Sequence, residues 1–276
     1  MIPAAFEYRR AGSLDEAIRL LGEGGEDAKL LAGGHSLLPL MKLRLAAPSV
    51  LIDIGRLRDL SYVRDTGNAV AVGALTRHHD VHASELLGRE VPLLAHVAGE
   101  IGDPQVRHRG TIGGSLAHGD PASDLPAACL ALGASFTLIG PAGERQVAAT
   151  DFFRGFLETA LAPEEVLAEI VIPKAAGAGG SFQKFNRRAQ DWAIVGVAAL
   201  WNGTAGIGLV NMGSVPLRAG AVEEALAQGA SIDEAASHAA DGLDPPADLN
   251  ASPEYRRHLA QVLVRRALEE ADQRRG

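Results

Sequence analysis

The stretch KLLAGGHSLLPLMKLR (29–44) runs a short apolar segment into paired glycines, a histidine and a serine, and then into a second apolar run that carries a proline. AKLLA reads as a buried strand. SLLPLMKLRLA is long enough for a helix of about two or three turns, with Ser36 at its N-cap and Pro39 tolerated in the first turn. SVLIDI reads as a second buried strand, so 29–54 is expected to form strand, glycine turn, short helix, strand: a compact α/β unit. At its turn stand Ala32, Gly33, Gly34, His35 and Ser36. Three readings stay open for them: a phosphate-binding turn, a catalytic histidine, or a bend between packed elements. Upstream, Ser13 and Glu16 form a capping box for LDEAIRLLGE, an amphipathic helix that Gly22, Gly24 and Gly25 should end.

The wider composition limits what this unit can belong to. At 276 residues and 47% hydrophobic content, the chain can bury a large core as one large or two moderate domains. A formal charge of −8 without a long basic run argues against nucleic acid as the main partner. No segment approaches the ~18 unbroken apolar residues of a membrane span, and the N-terminus lacks a charged leader followed by an apolar block, so a cytoplasmic protein is expected. Cys129 is the only cysteine. It is expected to be a buried core residue, and the chain can supply neither an internal disulfide nor a thiolate metal cluster. Any redox centre must be a bound organic cofactor or sit on a partner.

Beyond residue 56 the pattern is α+β. LSYVRDTGNAVAVGAL reads as two strands joined at Asp65-Thr66-Gly67-Asn68. Thr76 is placed to cap one helix through RHHDVHASELL, and VPLLAHVAGEIG reads as another. GTIGGSLAHGDPASDLPAACLALGA reads as a glycine-rich loop feeding a helix capped by Ser123 or Asp124. SFTLIGPAGERQVAA has the alternation of a hairpin, and EEVLAEIVIP closes the region as a strand. The small-residue segment 173–180 is the expected domain boundary. Past it, SFQKF, WAIVGVAALW and AGIGLVNMG predict an antiparallel three-stranded sheet, followed by three helices. The last helix carries Leu259, Val262, Leu263, Ala267 and Leu268 at helical spacing. The expected organisation is a first domain over 1–174, with subdomains of about 1–56 and 57–174, and a C-terminal domain over 175–276.

Neither a Walker-type loop nor Gly-x-Gly-x-x-Gly is present, which disfavours the common nucleotide folds. Two similar segments stand out instead, AGGHS (32–36) and TIGGS (111–115). Two such loops can converge on one pyrophosphate through backbone N–H groups, whereas either alone is ordinary turn material. His78, His79 and His82 share helix faces, but a metal site needs a third protein ligand and supporting hydrogen bonds, so a solvated helix start is the simpler reading. Asp120 and Asp124 form either a carboxylate pair or a helix entrance, with capping the simpler account. NRRAQDW places Trp192 either in the core or stacked on a planar cofactor.

Taken together, AGGHSLLPLMKLR, GALTRHHDV, RHRGTIGGSLAHGDPASDLPA, GFLETALAPEEVLAEIVIP, KFNRRAQDWAIVGVAA and YRRHLAQVLVRRAL, in this order, resemble the FAD-binding medium subunit of the molybdenum hydroxylases, the group of aerobic carbon monoxide dehydrogenase and xanthine dehydrogenase. The resemblance runs through nearly the whole chain. It implies an FAD site in which Ala32, Gly33, Gly34, His35 and Ser36 match a first loop at the pyrophosphate, and Thr111, Gly113, Gly114 and Ser115 match a second. Ser123 and Asp124 match polar residues that hold the cofactor. Ile101 and Leu167 match positions near its rings, Lys184 a flavin-side lysine, and Trp192 an aromatic near the isoalloxazine. Asparagine is frequent in the family where this chain has Ser115.

The implied function is electron transfer from a small subunit with two [2Fe-2S] clusters to quinone, NAD or dioxygen, beside a large molybdopterin-binding subunit in a heterotrimer that dimerises. A stand-alone FAD-dependent oxidase or dehydrogenase, with His35 or Asp191 as base, is the competing expectation. A flavin-free assembly subunit is a third, against which the glycines kept in both loops argue.

Overall fold

The computed structural model describes residues 2–275; Met1 and Gly276, the outermost residues of the two expected domains, lie outside the described residues. The first sheet is built from β1 (Glu7–Arg10), β2 (Ala28–Leu31) and β3 (Val50–Asp53) in the order β1-β3-β2, parallel throughout. β1 was not legible in the sequence: its four residues EYRR are mostly exposed and carry no apolar alternation. The helix α1 (Leu14–Gly24) joins β1 to β2 and buries Ala17, Ile18, Leu20 and Leu21 on the sheet. Ser13 Oγ accepts from Glu16 N at 3.1 Å, and Glu16 Oε2 accepts from Gly12 N at 2.7 Å, a capping box shifted by one residue on its return arm. α2 (Leu37–Leu43) leaves the glycine turn, but Ser36 makes no side-chain capping bond.

The second sheet contains β4 (Val63–Asp65), β5 (Ala69–Gly73), the hairpin β6 (Ser135–Gly140) and β7 (Gly143–Ala148), and a later long strand. Between β5 and β6 lies a run of short helices: α3 (His78–Ala83), α4 (Glu85–Glu90), α5 (Pro92–Gly99), α6 (Pro104–Arg109), α7 (Ile112–His118) and α8 (Asp124–Ala131). After β7 come α9 (Ala149–Phe152), the two-stranded β8 (Phe153–Gly155) and β9 (Glu158–Thr159), and β10 (Val166–Pro173), which completes the antiparallel order β4-β5-β10-β6-β7.

Three expectations need correction here. The helix expected over RHHDVHASELL is two helices parted at Ser84, which caps the second by accepting from Leu87 N. Thr76 caps nothing; its hydroxyl donates to Tyr62 O at 3.0 Å and accepts from Tyr62 N at 3.1 Å, tying two distant segments together. The glycine-rich stretch 111–118 is not a loop but α7, capped by Thr111 Oγ1, which accepts from Gly114 N at 3.1 Å.

The third sheet has four strands, not three: β11 (Gly179–Phe185), β12 (Val195–Trp201), β13 (Ala205–Val210) and the two-residue β14 (Leu217–Arg218), all antiparallel. β14 is too short to show a period. α10 (Gly220–Ala227), α11 (Ile232–Ser237) and α12 (Pro253–Gln273) follow. Strand alternation explains how this sheet is covered on both faces. Val195, Val197 and Ala199 join the core beneath α12, whereas Ala198, Phe182 and Val210 join the core shared with α5 and α8. On α12, Leu259, Leu263, Ala267 and Leu268 are buried as the spacing predicts, with Val264 in place of the half-buried Val262.

α8 and β13 pack backbone against backbone. A Cβ on Gly208 would strike the Ala127 carbonyl, with Ala127 Cα only 2.9 Å away, and one on Gly206 would strike the Ala131 carbonyl. Gly208→Val is therefore expected to force the helix off the sheet and lower stability by about 1–3 kcal/mol, seen as a lower urea midpoint at unchanged m-value. A variant with the wild-type midpoint would show that the contact yields freely.

Candidate functional site

β2 ends at Leu31, where Ile54 N donates to Leu31 O at 3.0 Å and fixes the end of the sheet. The chain then turns through Gly33 and Gly34. Gly34 has φ +79°, in the region where an L side chain is strained. Gly33 is buried face to face with another backbone: a Cβ there would overlap the Arg109 carbonyl and come within 2.9 Å of Gly110 Cα. The first loop thus rests directly on the residues that lead into the second. Among the described residues, the N–H groups of Gly33, Gly34, His35, Ser36 and Leu37 donate to no protein acceptor, while Leu38 N returns to Gly34 O at 3.1 Å. Five successive free donors at a helix entrance make a concave, electropositive seat for an anion.

The second loop is made differently. Gly113 N donates to Ala74 O at 2.8 Å, Gly114 N to Thr111 Oγ1 at 3.1 Å and Ser115 N to Thr111 O at 3.0 Å. These amides are engaged within the protein, so this loop offers hydroxyls and close approach rather than free N–H groups. Gly113 lies against Ala74, whose carbonyl oxygen would be 2.7 Å from any Cβ. Ser115 Oγ and Ser123 Oγ share a hydrogen bond of 2.9 Å, which brings the start of α8 to α7. Ser123 is at the N-cap position of α8 without a capping bond, and Asp124 is its first residue.

Asp124 and Lys184 form the site's buried charge pair. Along β11, Gly180, Phe182 and Lys184 alternate with Gly179, Ser181 and Gln183. The second set meets α12, where Ser181 Oγ and Gln183 Nε2 each bond Glu270 Oε2 at 2.6 Å. The first set faces α5 and α8, so strand parity alone delivers Lys184 to Asp124. Its Nζ lies 2.7 Å from Asp124 Oδ2 and 3.1 Å from Glu100 O, and the two side chains are 9% and 6% exposed. Burial pushes the Asp124 carboxyl up to about 6, with Lys184 pulling it back. Asp124 Oδ1 is buried without a hydrogen-bond partner.

The residues that the resemblance places at the cofactor line one cleft of about 830 Å³: Ala32, Gly33, Gly34, His35 and Ser36; Thr111, Gly113, Gly114 and Ser115; Ser123 and Asp124; Ile101, Leu167, Lys184 and Trp192, whereas Asp120, His79 and His82 do not line it. Leu167 stands at a register shift in β10, between Leu167 and Glu169. Trp192 is 58% exposed at the cleft wall, so it is not a core residue. His35 is exposed on the first loop. Asp191 pairs with Arg188 at 3.1 Å.

Sequence reasoning did not select Gly110, His78 or the 161–166 segment, which also line the cleft. His78, weighed only as a metal ligand, is buried with Nδ1 unpartnered, and burial lowers its pKa to about 4. Only the proximity of Gly110, whose Cβ would meet His78 Nε2 at 2.7 Å, reveals its place under the loop junction. No local pattern carries that information. His79 instead stacks on His108 at 4.1 Å.

A free anion seat, glycines where any Cβ would close the space, and an uncompensated buried carboxylate oxygen in one elongated cleft fit a dinucleotide whose pyrophosphate lies between two polar ends. Comparison with known proteins gives the same cofactor. Residues 4–175 match the FAD binding domain in molybdopterin dehydrogenase, and residues 180–271 the CO dehydrogenase flavoprotein C-terminal domain. The carbon monoxide dehydrogenase medium chain of Hydrogenophaga pseudoflava is 43% identical over 282 residues, 98% of each chain. The solved structure of carbon monoxide dehydrogenase from that organism, lacking the Mo-pyranopterin moiety of the molybdenum cofactor, superposes with TM-score 0.96 at 45% identity over 100% of both chains. Quinoline 2-oxidoreductase from Pseudomonas putida 86 gives TM-score 0.92 at 33% identity, again over 100% of both chains. The chain therefore belongs to the FAD-binding medium subunits of the molybdenum hydroxylases, FAD-dependent oxidoreductase subunits of multi-subunit complexes.

Proposed function

We propose that this chain takes electrons singly from the clusters of a small [2Fe-2S] subunit and passes them to a terminal acceptor, beside a molybdopterin-binding large subunit that oxidises the substrate. The observation that carries this reading is the single cleft, in which both glycine loops of the first domain (1–174) meet Lys184 and Trp192 of the second (175–276). Bound there, FAD supplies the one- and two-electron chemistry that side chains lack. The free N–H run from Gly33 to Leu37 holds the pyrophosphate, and the hydroxyls of Thr111, Ser115 and Ser123 complete the seat. Asp124 and Lys184 fix the far side, while Ile101, Leu167 and Trp192 border the rings.

No acid or base of this chain is needed for substrate oxidation. Asp191 is paired with Arg188 and His35 is exposed, which leaves neither in the dry, oriented setting of a catalytic base. Relatives named for carbon monoxide and for quinoline share this fold, which fits a substrate site on another subunit. The assembly is read as a dimerised heterotrimer in the cytoplasm; no helix among the described residues is long and apolar enough to cross a membrane.

The test is anaerobic mixing of the purified complex with its substrate while following flavin absorbance at ~450 nm. Bleaching that requires the iron–sulfur subunit is expected. A flavin reduced equally well in the isolated chain would point to a stand-alone oxidase instead.

A further inference from the structure

Side-chain packing does not hold Trp192 in place. It is 58% exposed and stands between two spaces, lining both the flavin cleft and a second cavity of about 710 Å³. The segment leading to it gives little support: Arg187, Arg188, Ala189 and Gln190 are all exposed, and Asn186 Nδ2 reaches Asp191 O only at 3.5 Å. The place of the indole therefore depends on the backbone that follows it, where Ala193 and Ile194 are buried. Three bonds fix that backbone. Ile194 N donates to Phe185 O at 2.8 Å, where β12 begins beside β11. Arg256, fully buried, donates Nη1 to Ile194 O and sets Nη2 2.8 Å from Asp248 Oδ2. The Ala193 carbonyl, nearest to the indole of the three, accepts from Asn211 Nδ2 at 2.9 Å.

Asn211 follows β13 directly, and its backbone is left-handed, with φ +62°. Asparagine visits that region more readily than most residues with a side chain, and unlike glycine it brings an amide. Its backbone N–H donates elsewhere, to Pro121 O at 2.8 Å. Pro121 lies in the turn that delivers Ser123 and Asp124 to the cleft. That turn closes on Asp120, whose Oδ1 accepts from Ala122 N at 2.9 Å and whose carbonyl accepts from Ser123 N at 3.0 Å. Asn211 thus joins two parts of the cleft that are far apart in sequence, the Trp192 segment through its side chain and the Ser123–Asp124 segment through its backbone.

We infer that Asn211 is a positioning residue of the flavin site, setting the separation between Trp192 and the Ser123–Asp124 end of the cleft and so the fit of the indole to the flavin ring. The inference rests on the reading above that Trp192 borders the rings. Asn211 lines the second cavity and not the cleft, so it acts through the two segments it joins. Coupling of this kind vanishes when the positioned side chain is removed.

The test compares the assembled complex as wild type, Asn211→Gly, Asn211→Asp, Trp192→Leu and the double variant Asn211→Gly, Trp192→Leu. Glycine adopts φ +62° freely and keeps the N–H to Pro121 O, so Asn211→Gly removes only the bond to Ala193 O. Asn211→Asp keeps the shape but sets a carboxylate against that carbonyl. When FAD is removed and titrated back, Asn211→Gly should bind it roughly tenfold more weakly, with Asn211→Asp weaker still and Trp192→Leu losing at least as much as Asn211→Gly. Spectroelectrochemical titration should show the flavin midpoint potential in Asn211→Gly displaced in the same direction as in Trp192→Leu. The double variant should match Trp192→Leu alone in potential, and within about twofold in affinity. Wild-type affinity and potential in Asn211→Gly or Asn211→Asp, or a loss that persists undiminished when Trp192 is already leucine, overturns the positioning role and leaves the electron-transfer reading standing. Wild-type affinity and potential in Trp192→Leu overturns the placement of Trp192 at the rings, and the inference with it.

Discussion

Gly33→Ala is expected to purify as a colourless, folded chain. An added Cβ at this position meets the Arg109 carbonyl and Gly110 Cα, both backbone, so no flexible side chain can swing aside to admit it. The first loop must then move off the second, taking with it the N–H groups of residues 33–37 that have no acceptor in the protein. Hydrogen bonds to a charged group contribute about 1.5–3 kcal/mol each. Losing two of them weakens FAD binding by roughly two to four orders of magnitude.

Neighbouring substitutions set the scale. At Gly34, a left-handed backbone costs an L-residue about 1–2 kcal/mol, and the nearest obstacle is the movable Leu38 side chain at 2.8 Å, so Gly34→Ala should bind more weakly but measurably. His35→Ala keeps the backbone N–H and removes an exposed ring, so its loss should be only a few-fold, about what an exposed substitution costs. The flavin-to-protein ratio after desalting reads the order. Melting with and without added FAD separates lost binding from lost folding, because only a binding chain gains stability from the ligand. Stoichiometric FAD in Gly33→Ala would make this loop a structural joint and nothing more.

How much of this was legible in the sequence depended on how local each feature is. The glycine turn between strands 28–31 and 50–53, the 135–148 hairpin and the stripe of the last helix each rest on neighbours within a few residues, and each formed as expected but for Val264 in place of Val262 in the stripe. Thr76 and Thr111 show where this stops. Thr76 precedes a helical pattern as a cap should, yet Tyr62, 14 residues earlier, holds its hydroxyl. Thr111 precedes two glycines, each costing a helix about 1 kcal/mol relative to alanine, so 111–118 reads as a loop. The helix forms there because Gly113 must lie flat on Ala74, a contact nearly 40 positions distant in sequence that propensity does not register. The cleft follows the same division. Its glycine loops were visible as a repeated local motif, whereas the Asp124–Lys184 pair spans 60 residues and follows from the parity of one strand. The free amides of the first loop and the engaged amides of the second, alike in sequence, are distinguished only by what packs behind them.

Lys184→Met should destabilise the flavin-free chain by about 3–5 kcal/mol at pH 7, the usual cost of leaving a buried charge without its partner. The pH dependence identifies the cause. In the native chain, burial raises the Asp124 carboxyl from its ordinary value of 3.8 to about 6, even with the Lys184 ammonium 2.7 Å away. A carboxyl with a raised native pKa binds its proton more tightly folded than unfolded. Its favourable contribution is therefore complete below the unfolded value and lost as pH rises through about 6. Removing the ammonium raises the native pKa further, so the penalty in Lys184→Met grows toward neutral pH and shrinks toward pH 5, where a protonated Asp124 no longer needs a cation. Urea unfolding at several pH values between these limits should show the gap to the wild type closing on acidification. The double variant Asp124→Asn, Lys184→Met should recover most of the stability at neutral pH, because an amide beside an apolar chain carries no buried charge. A gap that ignores pH, or a double variant as unstable as Lys184→Met alone, would show that Lys184 acts through packing of its stem against α8 and not as the counter-charge to Asp124.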